Sequence, residues 1–114
     1  MEVNKINSDR RGDVFLVKSK DREFLLLEIN KGFIRGGDFH NSIQYNFILE
    51  GRVREVTTKE EKILEANQGS TIEAGVPHYI EAIEDSIVLE WIDRSGDKQY
   101  YAPFRKLVEK AMNE

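Results

Sequence analysis

The stretch from Gly32 to Gly51, GFIRGGDFHNSIQYNFILEG, decides the fold. Its first half contains a glycine pair, which predicts a tight turn, because glycine adopts backbone conformations that other residues avoid. Its second half, residues 43–49, first alternates and then becomes apolar, which predicts a strand. Arg35, Asp38 and His40 flank the glycine pair. This set of polar side chains indicates one wall of a polar pocket.

The composition is typical of one packed domain. Of the 114 residues, 39% are hydrophobic and 10% are aromatic, so we predict a single domain over residues 1–114. The chain has no cysteine, which excludes disulfides, thiolate metal sites and cysteine nucleophiles. Its net charge of −4 argues against a nucleic-acid partner, because such proteins present a clustered basic face.

The sequence gives no sign of a membrane partner. Every apolar run is shorter than the roughly 18 residues that a transmembrane helix needs. Residues 1–13, MEVNKINSDRRGD, are polar and lack the apolar centre of a signal peptide. We therefore expect a cytoplasmic protein.

Short strand-forming segments fill most of the chain. They are separated by Gly, Asn and Asp turns and follow one another at spacings of about eight to twelve residues. This pattern predicts an all-β sandwich or barrel over residues 13–92. Within it, Glu50-Gly51 and Lys59-Glu60 predict tight hairpins.

The pattern changes near the C-terminus. Residues 93–97 predict a polar loop, and Pro103 then stands where the first turn of a helix would begin. The apolar residues that follow have helical spacing: Phe104, Leu107, Val108, Ala111 and Met112. They predict a helix over residues 103–113 whose apolar face packs against the barrel or a dimer partner.

Two segments resemble the conserved motifs of the cupin superfamily. Gly32–Gly51 resembles the first motif, which has two histidines, a Glu or Gln and a closing glycine. Asn67–His78, NQGSTIEAGVPH, resembles the second motif, which ends in a histidine. On this pattern His40 matches the second histidine and Gln44 the acid, while Asp38 stands in place of the first histidine. The resemblance implies a jelly-roll barrel with a C-terminal helix, and a homodimer.

A narrower resemblance adds an activity. Asp9-Arg10-Arg11-Gly12, followed by Arg35-Gly36-Gly37-Asp38-Phe39-His40, is similar to the nucleotide-sugar 3,4-ketoisomerases and the dTDP-4-dehydrorhamnose 3,5-epimerases. Those cupins work without a metal and move protons beside a sugar ketone. The resemblance implies Asp38 and His40 as catalytic residues, a nucleotide-sugar substrate and no cofactor. Asp38 departs from the family histidine, and an aspartate acts as a base near neutral pH only when its pKa is raised.

The side-chain chemistry agrees with a pocket for a small polar substrate. Asp38 and His40 lie two apart in an extended segment, so we expect them on one face, with His78 opposite on a neighbouring strand. Arg35 would bind a phosphate or another anion through its forked guanidinium. Aromatic side chains would stack on a sugar or base; the candidates are Tyr79, Trp91, Tyr100 and Tyr101. The predicted substrate-binding set is Arg35, Gln44, His78, Trp91 and Tyr101.

The same residues permit two other interpretations. Asp38, His40, Gln44 and His78 form a mixed nitrogen and oxygen set that suits Mn, Fe, Ni or Zn, which predicts a metal-dependent small cupin. Alternatively, the pocket holds a small polar ligand or a partner protein without catalysis. A histidine, taken singly, is more often a structural residue than a catalyst.

Overall fold

Two antiparallel sheets and one helix make up the described residues, 1–92 and 98–113, of the computed structural model. The strands are β1 Glu2–Asp9, β2 Gly12–Ser19, β3 Arg22–Ile29, β4 Ile34–His40, β5 Gln44–Glu50, β6 Arg52–Thr57, β7 Glu61–Glu65, β8 Gly69–Ile72, β9 His78–Ala82, β10 Ser86–Ile92 and β11 Lys98–Tyr100. The helix α1 is Ala102–Asn113. The predicted all-β fold with a C-terminal helix is confirmed. The predicted loop at 93–97 lies outside the described residues.

The two sheets pack face to face around an aliphatic core. One sheet has the order β1-β2-β3-β10-β5-β8 and the other β11-β4-β9-β6-β7. Their inner faces bury nine hydrophobic residues in one cluster, Val14, Leu27, Ile29, Ile48, Val53, Leu64, Ile80, Ala82 and Val88. Successive strands β4, β5 and β6 alternate between the two sheets. The inward-pointing polar side chains of β4 and β5 therefore face one another across the interior.

The prediction of a hairpin at Glu50-Gly51 is wrong, because the strands it joins, β5 and β6, lie in different sheets. Gly51 has a φ of +88°, and a Cβ there would lie 2.5 Å from the Asp85 carbonyl oxygen and 2.3 Å from Ser86 Oγ. The glycine signal therefore marks a tight crossing between sheets. The hairpin at Lys59-Glu60 is confirmed by the antiparallel pairing of β6 with β7.

The turn predicted at Gly36-Gly37 is also wrong. Both glycines lie inside β4, which pairs with β9 on both sides of them. The register shifts between Gly36, opposite Tyr79, and Asp38, opposite His78, which makes Gly37 the extra residue of a β-bulge. Both glycines have a positive φ, 108° and 81°. Because many tight turns also require a positive φ, a glycine pair fits a turn as well as a bulge.

The helix packs on the outer face of the five-stranded sheet. Val108 is fully buried there, against a cluster that includes Tyr79 of β9 and Ile34 of β4. Arg105 Nη1 donates to the Gly36 carbonyl oxygen at 2.9 Å, so α1 is tied to the bulge. Leu107, predicted on the apolar face, is 41% exposed, because it lies at the edge of the contact. No helix among the described residues is both long and apolar enough to cross a membrane.

We expect Gly51→Ala to cost more stability than Gly32→Ala. Both positions have a positive φ, so alanine pays about 1 kcal/mol of backbone strain at either one. At Gly32 the added Cβ meets nothing within 4 Å, whereas at Gly51 it collides with the backbone of residue 85. Urea unfolding should give a loss of about 1 kcal/mol for Gly32→Ala and about 3 kcal/mol for Gly51→Ala. Equal losses would contradict the tight crossing.

Candidate functional site

Two histidines and an aspartate converge at the bulge of β4. Asp38 Oδ1 lies 3.3 Å from His78 Nε2 and 3.8 Å from His40 Nε2. One ligand atom from each of the three residues lies within 4.8 Å of the others. Their side chains are 4–10% exposed, so the cluster lies mostly out of contact with solvent. The structure therefore brings together the three residues that the sequence placed on facing strands.

The bulge and the turn before β9 determine how His78 is presented. Asp38 and His78 are register partners in β4 and β9, an arrangement that follows directly from the extra residue. The Nδ1 atom of His78 lies 3.0 Å from the Val76 carbonyl oxygen, which can only accept. His78 therefore carries a proton on Nδ1, and in the neutral ring Nε2 turns a lone pair towards Asp38.

His40 and Gln44 each contribute a buried polar atom to this site, His40 Nδ1 and Gln44 Oε1. Burial lowers the pKa of His40, while the negative charge of Asp38 acts in the opposite direction. The Gln44 side chain, 2% exposed, also acts to raise that pKa. His40 Nδ1 and Gln44 Oε1 are both buried, and neither has a hydrogen-bond partner among the described residues. Buried polar atoms of this kind require a partner or a ligand.

Arg35 forms the cationic side of the site. It is 7% exposed, and its Nη2 donates to the Gly12 carbonyl oxygen at 2.8 Å. It also lies 3.8 Å from Asp9, whose hydrogen bonds with Arg11 hold the pKa of Asp9 at about 2. Arg35 Nε is buried without a partner among the described residues. The early Asp9-to-Gly12 turn thus supports Arg35 rather than being an isolated surface turn.

Most of these groups line a cavity of about 290 Å³ between the sheets, whereas His40 lines a neighbouring outer cleft. The lining of the cavity includes Arg35, Asp38, Gln44, His78, Lys98 and Glu90. Lys98 Nζ lies 3.7 Å from Asp38 Oδ2, on the side of the carboxylate away from His78. The cavity therefore combines a carboxylate and imidazole centre with cationic groups that suit an anionic ligand.

Glu90 is a residue of this site that the sequence interpretation missed. It is half-buried on β10 and lines both the inner cavity and an outer cleft of about 490 Å³ that also contains His40. Burial raises the pKa of Glu90 to about 7; Asp38 reinforces this shift, and Lys98 and Arg35 oppose it. The sequence carried a signal, because Glu90 shares a face of the strand with buried Val88.

The two aromatic residues of the predicted substrate set lie in different places. Trp91 borders the outer cleft and stacks on Tyr45, with ring centroids 5.5 Å apart. Tyr101 packs edge-on against Phe104 at 4.9 Å and lines neither of these two cavities. Tyr100, its neighbour, lines the inner cavity instead. The structure thus brings Trp91 near the site and leaves Tyr101 at the start of the helix.

Solved structures share this architecture. No protein-family model and no curated protein matches the sequence. The chain is similar to the capsular polysaccharide assembling protein CapF of Staphylococcus aureus (TM-score 0.72, 18% identity, 88% of this chain and 32% of CapF). It is also similar to an oxalate decarboxylase of Bacillus subtilis (TM-score 0.75, 16% identity, 87% of this chain and 30% of that one). For KdgF of Halomonas sp. the TM-score is 0.67 at 16% identity, over 80% of this chain and 88% of KdgF.

These neighbours are cupins, and the likeness shows that the fold is the cupin jelly roll. The chain spans about a third of CapF and of the oxalate decarboxylase. At these identities the comparison bears on the fold alone, so the chemistry has to be argued from the side chains of the site.

The raised pKa of Glu90 predicts a stability that falls with pH. Between pH 4.5, its ordinary pKa, and about 7, the folded chain keeps a proton that the unfolded chain has released. Raising the pH from 5 to 8 should therefore cost the wild-type protein about 2 kcal/mol more than Glu90→Gln, which has no such proton to lose. Urea unfolding of both proteins in chelator at the two pH values measures the difference. Parallel pH dependences would contradict the assignment.

Proposed function

We propose that this chain is a metal-dependent enzyme that moves protons on a small anionic substrate derived from a sugar. Asp38, His40 and His78 would hold one divalent transition-metal ion. The observation that carries the proposal is the approach of two Nε2 atoms to one Asp38 oxygen, at 3.3 and 3.8 Å. Because the Val76 carbonyl oxygen fixes the proton of neutral His78 on Nδ1, the lone pair of His78 Nε2 would face the lone pairs of Asp38 Oδ1. A cation between these two atoms would relieve the repulsion.

The donor set fits a transition metal. Two imidazoles and a carboxylate are the donor types of the facial-triad metal sites, and mixed nitrogen and oxygen ligands suit Mn, Fe, Ni or Zn. A metal-binding histidine usually donates its other N–H to a carbonyl or carboxylate, as His78 does to Val76. The unpartnered Gln44 Oε1 offers a further neutral oxygen. When bound, such an ion polarises a carbonyl oxygen as a Lewis acid.

The charges around the centre favour an anionic substrate. Arg35 has a buried Nε without a partner among the described residues, and Lys98 lies beside Asp38. Together they would bind a carboxylate or phosphate and hold the reacting carbon near His40. The names of similar structures support small acids and carbohydrates: an oxalate decarboxylase of Lactobacillus farciminis was solved as a formate complex, and CapF is a capsular polysaccharide assembling protein.

One side chain would transfer the proton. Glu90, with a pKa of about 7, is protonated or ionised with comparable ease near neutral pH, which suits a general acid and base. Glu90 lines the same outer cleft as His40, which is a metal ligand in this proposal, so a substrate at the metal would lie near Glu90. The Glu90 carboxylate would take a proton from one atom of the substrate and return it to another.

A metal-independent nucleotide-sugar isomerase is the second candidate. Its specific support is the contact between the early turn and Arg35, because these are the two segments that carry the narrower family resemblance. In this reaction Asp38 and His40 would move the protons, and Arg35 would bind the diphosphate. His78 would then be protonated on both nitrogens and donate to Asp38.

Metal analysis distinguishes the two candidates. Protein made in medium containing Mn, Fe, Ni and Zn should hold about one ion per chain, and Asp38→Asn and His78→Gln should weaken its affinity at least about a hundredfold. Glu65→Gln removes an exposed carboxylate on β7 and serves as the control, with unchanged metal content.

A protein that stays empty in all four metals would overturn the metal-dependent proposal. Titration with a nucleoside-diphosphate sugar would then test the second candidate. Binding that Arg35→Ala abolishes would support it, and the absence of binding would refute it as well.

A further inference from the structure

The outer face of the six-stranded sheet is apolar. On its inner face, four neighbouring strands contribute one row of buried register partners, Val14, Leu27, Val88 and Ile48. Because side chains alternate along a strand, the residues one and three positions away from these lie on the outer face. They form two rows across the sheet, Phe15, Leu26, Leu89 and Phe47 in one, and Val17, Phe24, Trp91 and Tyr45 in the other.

The two rows form a continuous surface. Trp91 lies between Phe24 and Tyr45, with ring centroids 5.7 and 5.5 Å away. Lys5 Nζ of β1 lies 5.9 Å from the centre of the Phe15 ring and belongs to the same face. Within residues 1–92 and 98–113, the helix packs on the other sheet and every strand belongs to one of the two sheets. Neither a helix nor a further strand therefore covers this face.

The face has the size of a protein interface. Neighbouring strands lie about 4.8 Å apart and each residue extends a strand by about 3.4 Å, so six strands between the levels of Arg22 and Glu28 span about 24 by 20 Å. This is on the order of 500 Å² in projection, to which the relief of the side chains adds. Standard interfaces bury about 800 Å² of accessible surface per partner, and apolar patches of this extent mark interaction sites.

Charged residues of opposite sign lie at the two ends of the apolar rows. By the two-residue period, the outward positions of β3 are Arg22, Phe24, Leu26 and Glu28. Ile87 is the register partner of both Glu28 and Glu50, so that end of the face is acidic. The other end carries Arg22. Along β3, the outward residues thus read from a cation through two apolar side chains to an anion.

We propose that two copies of this chain dimerise through this face, with a two-fold axis that lies between the copies and runs perpendicular to the strands. This axis reverses the strand direction, so β3 of one copy crosses β3 of the other. Phe24 packs against the partner's Leu26, and Arg22 meets the partner's Glu28. A second copy suits the face because it supplies an equal apolar area and the opposite charge at each end. A two-fold axis parallel to the strands would place the acidic ends against each other, which like-charge repulsion opposes.

The interface borders the candidate site. Phe24 and Trp91 also line the outer cleft that contains His40 and Glu90. Trp91, predicted from the sequence as a substrate-binding residue, would therefore contribute to both surfaces. The dimer does not rest on the proposed function, because the apolar rows include none of the proposed metal ligands.

Sedimentation equilibrium of the full chain tests the dimer. The wild type should have twice the mass of one chain. Leu26→Arg introduces a charge at the centre of the interface in both copies and should raise the Kd of the dimer at least about a hundredfold. Because Leu26 lies on the outer face, the variant should stay folded by circular dichroism and urea unfolding. The control is Ile63→Arg on β7 of the other sheet, where Ile63 is 51% exposed, and it should leave the dimer unchanged.

Charge exchange tests the direction of the two-fold axis. Arg22→Glu and Glu28→Arg each set like charges against each other at two places in the dimer, so each should raise the Kd about tenfold. The double variant exchanges the two charges and should return the Kd to the wild-type value. A double variant as weak as the single variants would overturn the proposed arrangement.

Two further results would overturn the dimer itself. One is a folded Leu26→Arg variant that dimerises as well as the wild type. The other is a monomeric wild type. Should that monomer sediment with phosphatidylglycerol vesicles, and Leu26→Arg not, the face would be assigned to a lipid surface instead.

Discussion

The β-bulge at Gly36-Gly37 is the constraint on which the site depends. One extra residue in β4 brings Asp38 opposite His78 and leaves His40 two positions further along the same strand. Glycine is favoured at both positions by a positive φ and by close neighbours: a Cβ on Gly36 would lie 3.1 Å from the His78 carbonyl oxygen, and one on Gly37 would lie 2.8 Å from the Arg105 side chain. Helix, bulge and site are therefore coupled through a few close contacts.

Charged side chains of both signs surround the bulge. Asp38 has imidazoles on one carboxylate oxygen and Lys98 near the other. Arg35 lies in the same cavity, supported from behind by the turn that begins at Asp9. Opposite them, Glu90 sits where burial favours its neutral form. Asp38, His78, Arg35, Lys98 and Glu90 thus line one small cavity, and this combination of side chains underlies the proposed chemistry.

Much of this arrangement could be predicted from the sequence. The alternating strands, the helical spacing from Phe104 onwards and the two histidine motifs led to the right fold, and strand periodicity led to the right partners for Asp38. Local pattern could not distinguish a bulge from a turn at the glycine pair, because both require a positive φ. Likewise, Glu50-Gly51 has the composition of a hairpin, and only the pairing of distant strands reveals a crossing between sheets.

Two of the residues that the sequence interpretation missed share one cause. Glu90 and Glu55 are charged residues at inward positions of otherwise apolar strand faces, alongside Val88 and Val53. A stricter use of the two-residue period would have identified them as buried polar groups that need a role. Lys98 could not have been found in this way, because it reaches Asp38 through the pairing of β11 with β4, which brings together residues far apart in the sequence.

We propose that a metal cation binds between Asp38 and the two histidines. Anomalous X-ray diffraction from crystals grown with Mn²⁺ tests it most directly, because the peak identifies both the element and its place. We expect one strong peak within ligand distance of Asp38 Oδ1 and both Nε2 atoms. No peak there, with His78 instead hydrogen-bonded to Asp38, would contradict it.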